Sequence, residues 1–130
     1  MFCMANMINI TVSEGYAYDL LAISQIKSDK NPKDSNASKN FDLLSKEICR
    51  QVGAELHFKI LKSKEYQYVY SVNEEIYLKI DHLKSFGEKH GDAIFIDSKN
   101  FERWVAKSNL QKTWFDQSIT EQKFGYNTIK

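Results

Sequence analysis

Proline occurs once in this chain, at Pro32, and glycine only 5 times. A fold of many short strands needs such residues at each turn, so little room is left for a turn-rich β-sandwich. Cysteine is almost as scarce: Cys3 and Cys49 are the only two. Set so far apart, they form neither a disulfide framework nor a metal-ligand spacing. A reducing cytoplasm is the expected compartment. No apolar run approaches the ~18 residues of a membrane span. The first residues also lack the basic and apolar regions of a secretory leader.

A dominant charge is missing too. The formal net charge is +1, and residues 1–40 and 41–90 each sum to zero, so the excess lies in the remainder. Nucleic-acid binders concentrate Lys and Arg on one face or arm, and this even mixture argues against that class. Nor is there a G-x-G-x-x-G or P-loop for phosphates, or a G-x-S-x-G elbow for a serine nucleophile. No motif names a reaction, and no cofactor or metal is implied.

What the chain does have is apolar periodicity. Hydrophobic residues make up 42% and charged residues 27% of 130 positions, a composition that folds and can bury one core. Val69, Val72, Ile76, Ile80 and Leu83 recur at three- and four-residue steps, so Ser63 to Phe86 reads as one long amphipathic helix. At ~1.5 Å per residue it runs about 35 Å. The rest of the chain is expected to pack around it.

Met1 to Asn6 reads as a start-site extension or mobile tail, and residues 7–130 as a single globular domain. Ile8, Ile10 and Val12 alternate with polar residues and predict a strand with one buried face. Glu14-Gly15 turns the chain into a helix over Tyr16–Lys27, with Ser13 as cap and Ala17, Leu20, Leu21, Ile23 and Ile26 inward. The polar run Ser28 to Lys39, around Pro32, predicts the longest loop. Phe41, Leu44, Ile48 and Val52 mark a helix capped by Asn40 and ended by Gly53, and Ala54 to Leu61 a short helical piece. Ala93 to Ile96, flanked by turn formers, predicts a buried strand. Phe101 to Phe115 follows as a helix with Phe101, Trp104, Val105, Ser108 and Phe115 near one face, and Phe124 and Tyr126 are expected to dock on the body. The resulting fold class is α+β and mainly helical, with about four helices around the long one and two short strands. An all-α bundle is the alternative.

The strand–turn–helix pattern occurs twice. If the strands pair in parallel, both helices start at one sheet edge, where free N–H groups and dipole ends can bind an anion. Ser13, Glu14, Gly15, Asp97, Ser98, Lys99 and Asn100 would line such a site for a nucleotide or sugar phosphate. The plainer reading makes Ser13 and Asp97 or Ser98 simple helix caps. Glu74, Glu75, Asp81 and His82 are a second group, with metal-assisted hydrolysis as the chemistry, although neither Glu-x-x-His nor Glu-x-x-Glu occurs there. His57, His82 and His90 are scattered, and Cys49 meets a histidine only if the fold brings one to it. Arg103, Lys107 and Lys112 lie among Trp104, Trp114 and Phe115, which reads either as a stacking platform for single-stranded nucleic acid or as core aromatics with a wet cationic side. Tyr66, Tyr68, Tyr70 and Tyr77 crowd the long helix. Tyrosine is enriched at interfaces, so self-association along that helix is expected. The leading functional expectation is a small accessory or interaction protein, homo-oligomeric and without chemistry of its own.

Overall fold

A computed structural model of the chain describes residues 10–116. The expectations for Met1–Asn6, Ile8, Phe124 and Tyr126 lie outside the described residues. Five helices, and no strand, make up the described part: α1 (Glu14–Lys30), α2 (Ser35–Val52), α3 (Ala54–Leu61), α4 (Lys64–Phe86) and α5 (Asp92–Phe115).

Both predicted strands are corrected. Ile10 to Val12 form no strand, and Ile10 and Val12 are exposed. Alternation marks a strand only when a partner ladder exists to hold it, and none exists among the described residues. Ala93 to Ile96 is the first turn of α5. A four-residue apolar run is equally a piece of helix. What decides it is the continuation: D-S-K-N-F-E-R-W-V-A-K contains no helix breaker. Asp92 fixes the start, its carboxylate accepting the Lys89 N–H at 2.6 Å and pairing with Lys79 at 2.7 Å.

The predicted loop from Ser28 to Lys39 is corrected as well. Only 31–34 lie outside helix. The residue before a proline is pushed out of the α region, so α1 ends immediately before Asn31. Asp34, rather than Asn40, then caps α2 by accepting the N–H groups of Asn36 and Ala37. The polar residues on either side are solvated helix, not loop. Ser63 caps α4 through the Tyr66 N–H, and Gly87 closes it at φ 81°.

The long helix is continuous, as its periodicity requires, and packs on α1, α3 and α5, with α1 sharing the middle. α1 packs on α2 along one side and on α4 and α5 along the other. Tyr18, Leu21, Ala22 and Ile26 are sealed from solvent on several sides of α1 at once. They meet Ile48, Ile60, Tyr66, Val69, Val72, Ile76, Ala106 and Leu110 in one core. Burying each large side chain contributes roughly 1.5–3 kcal/mol. Leu20 and Ile23, expected inward, are displaced from that role by Tyr18 and Ala22.

α4 and α5 form an antiparallel hairpin. Glu65 meets Trp114, Tyr68 meets Glu102, Glu75 meets Lys99, and Lys79 meets Asp92, in opposite chain order. α1 reaches only as far as Tyr77, which accepts a hydrogen bond from Asn31. Past that point the stripe of α4 continues with Ile80 and loses its cover, so Ile80 is exposed.

The tightest approach is at Gly15. A Cβ there would lie 2.6 Å from the Lys107 carbonyl oxygen, a backbone atom that moves only if α5 moves. Gly15→Ala is expected to lower stability by about 2 kcal/mol: overpacking costs up to about 3, less at most about 1 from helix propensity. Urea denaturation followed by circular dichroism checks it, and an unchanged midpoint would rule out the tight contact.

Candidate functional site

The structure separates the residues assigned to an anion site. Ser13 caps α1, its hydroxyl accepting the Tyr16 N–H. Glu14 accepts from the Gln111 side chain, and the Gly15 N–H donates to the same residue. Asp97, Ser98, Lys99 and Asn100 lie inside α5, past its first turn, where backbone N–H groups are already used. The register that sets Gly15 against Lys107 places Lys99 two turns further along α5, about 12 Å away. Lys99 is engaged with Glu75 and Glu102. The two turns do not converge, because the sheet that would have joined them does not form.

The carboxylates of α4 are spent on cations. Glu74 pairs with Lys30 at 2.7 Å, and Glu75 with Lys99. Asp81 is exposed, and His82 stacks on Phe86. Among the described residues no three His, Cys, Asp or Glu side chains are grouped to hold a metal ion.

The tyrosines of α4 turn largely to their own chain. Tyr66 is buried and donates to Gln25 at 2.7 Å, Tyr70 donates to Asp29 at 2.7 Å, and Tyr68 to Glu102 at 3.2 Å. Burial is the main reason all three hydroxyls hold their protons more tightly than a free phenol.

Two polar centres were not foreseen from the sequence. In the first, Asp19 is fully buried and accepts from Arg103 Nε at 3.0 Å, from a second Arg103 nitrogen at 2.7 Å and from Asn73 at 2.8 Å. This knot ties α1, α4 and α5. A lone aspartate inside the apolar run Y-A-Y-D-L-L-A-I was its sequence signal. In the second, His57 is fully buried between Tyr18 (Nδ1, 2.8 Å) and Ser45 (Nε2, 3.0 Å). Beside it, a shallow, open depression of about 410 Å³ is lined by Ser45, Cys49 and Phe58.

That second centre has the members of a Ser–His line, but its ring is tied to a hydroxyl on each side. Burial raises the Tyr18 hydroxyl far above its usual range, with Cys49 adding to it, so Tyr18 keeps its proton. The neutral ring carries one hydrogen, so it donates to one of these two hydroxyls and accepts from the other. Both ring nitrogens are occupied, which leaves none for Cys49. Burial also holds the His57 pKa below its usual value, so the ring stays neutral. The arrangement is a polar centre satisfied inside the fold.

What remains unspent is apolar and lies on the outside of α5. Of the stripe expected to face the core, Phe101 and Trp104 face away from it, Val105 and Ser108 are half-buried with the Ser108 hydroxyl enclosed, and Phe115 packs against the core. Phe101 is 67% exposed, Trp104 47% and Ile94, on the same side, 73%. The core side is instead Ala106, Leu110 and Gln111. Arg103 and Lys107, expected on the wet side, turn inward to Asp19 and to the Tyr16 ring, 4.8 Å from Lys107 Nζ. The Phe101 and Trp104 rings stack at 6.2 Å. Because Asp19 faces Arg103 across antiparallel helices, Leu20 and Trp104 point to the same outer side, so α1 extends the apolar surface.

No helix among the described residues is long and apolar enough to cross a membrane. No known family, curated protein or solved structure matches the chain.

Proposed function

We propose that this chain is a small cytoplasmic interaction protein with no chemistry of its own, working through the outer face of α5 and the adjoining side of α1. One observation carries the reading: two large stacked aromatics, Phe101 and Trp104, stand in solvent beside Ile94 and Leu20. Contiguous apolar surface of this kind marks interaction sites, and aromatic residues dominate binding energy where they are buried by a partner. The groups capable of acid–base work, Asp19, His57, Glu74 and Glu75, are engaged in holding the fold. The self-association expected along the tyrosines of α4 is better supported on α5, since Tyr66, Tyr68 and Tyr70 direct their hydroxyls to their own chain.

Photo-crosslinking tests this. A benzoylphenylalanine in place of Phe101 is expected to join the chain to a protein in its native cytosol. The same probe at Gln67, an exposed position on α4, is expected to stay unreacted. Equal yields at both positions, or none at Phe101, would sink the proposal.

A further inference from the structure

We infer that the partner of this face is a second copy of the chain, with the two α5 helices antiparallel. The inference rests on the interaction reading above and adds the occupant and its orientation. The outer stripe of α5 runs through the exposed Ile94, Asp97, Phe101, Trp104 and Lys112 and the half-buried Val105 and Ser108. The core 94–97–101–104–108 repeats in three- and four-residue steps, the spacing of a helix–helix seam. Only two of the seven positions are charged, and they carry opposite signs at opposite ends. Neither Asp97 nor Lys112 makes an ion pair among the described residues, and both are exposed.

That polarity selects the orientation. A parallel copy would set Asp97 against Asp97 and Phe101 against Phe101. An antiparallel copy, with its axis between Trp104 and Val105, sets Asp97 against the second copy's Lys112, twice by symmetry. It also sets the large Phe101 against the small Ser108, so the seam interdigitates. The contact is isologous and closes as a dimer, with no exposed repeat left to propagate. The size also suits a dimer. A 24-residue helix is about 36 Å long. With the adjoining side of α1 the face is about 20 Å wide, or roughly 700 Å² per copy, against about 800 Å² in stable interfaces. A neutral seam with one charge of each sign fits its own copy better than a basic or acidic partner.

Sedimentation equilibrium on the full chain at low salt is the test. The wild type is expected to dimerise reversibly. Asp97→Lys and Lys112→Asp each place like charges opposite one another and are expected to weaken the dimer about tenfold. The double variant Asp97→Lys/Lys112→Asp again opposes unlike charges and is expected to restore the wild-type dissociation constant. Circular dichroism on each variant confirms that the helices are intact. A wild-type chain that stays monomeric at millimolar concentration overturns the inference, as does a double variant no tighter than the singles. A monomeric chain that still crosslinks through residue 101 to a different protein removes this inference and leaves the interaction reading standing.

Discussion

Arg103→Met is expected to cost the fold about 3–5 kcal/mol, the largest effect of any single substitution on α5. Asp19 is fully buried, and Arg103 grips both of its oxygens, at 3.0–3.1 Å through Nε and 2.7 Å through a terminal nitrogen. Removing the guanidinium leaves a carboxylate in a dry site with Asn73 as its remaining recorded donor. One neutral amide does not compensate a buried charge. Arg103→Lys should rescue little, because a point charge cannot reproduce the two-oxygen grip. Asp19→Leu/Arg103→Met should be more stable than Arg103→Met alone, since replacing a buried pair with apolar groups is often close to neutral. Urea midpoints for the two singles and the double form the cycle. Additive losses would show that the two side chains do not act as a pair.

His57→Leu is the second large effect, expected at about 3 kcal/mol. The leucine fills much of the ring volume but leaves the Tyr18 and Ser45 hydroxyls without their ring partner. Each orphaned group costs about 1–3 kcal/mol. Tyr18→Phe in the same chain removes the first orphan, so the double variant should lose less than the sum of the singles. The pH dependence follows from the same burial. The His57 pKa is depressed in the folded chain, while in the unfolded chain it titrates near its ordinary ~6.5. Below that value the unfolded chain takes up a proton that the folded chain refuses. Stability is thus complete above pH ~6.5 and falls as the pH drops towards the folded value, by at most about 1.4 kcal/mol per pH unit. In His57→Leu this part of the slope should vanish. A wild-type curve flat between pH 7.5 and 5 would show that His57 is not neutral in the fold.

Much of the secondary structure was legible without coordinates. Glycine at 53 and 87, serine at 13 and 63, and the three–four spacing of Val69, Val72 and Ile76 act within a turn or two, and each sits where local chemistry puts it. Two of the misreadings share one origin. Ala93–Ile96 and Phe101–Trp104 were assigned to buried faces because they are apolar, yet apolar residues are not confined to the inside. No sequence signal says which flank of α5 the rest of the chain will cover.

The sequence by itself determined the cap of α1 at Ser13, the extents of α3 and α4 and the stop at Gly53, because caps, breakers and periodicity are short-range; it did not determine where α2 and α5 begin. It also determined that one long α4 would supply part of the core. Only the tertiary structure decided that α1 shares the centre with α4, that Asp19 meets Arg103 and His57 meets Tyr18 and Ser45, and that α5 presents Phe101 and Trp104 to the outside. Those outcomes depend on contacts between residues far apart in the chain, and the packing of whole helices sets them by allowing only one face of each to be covered.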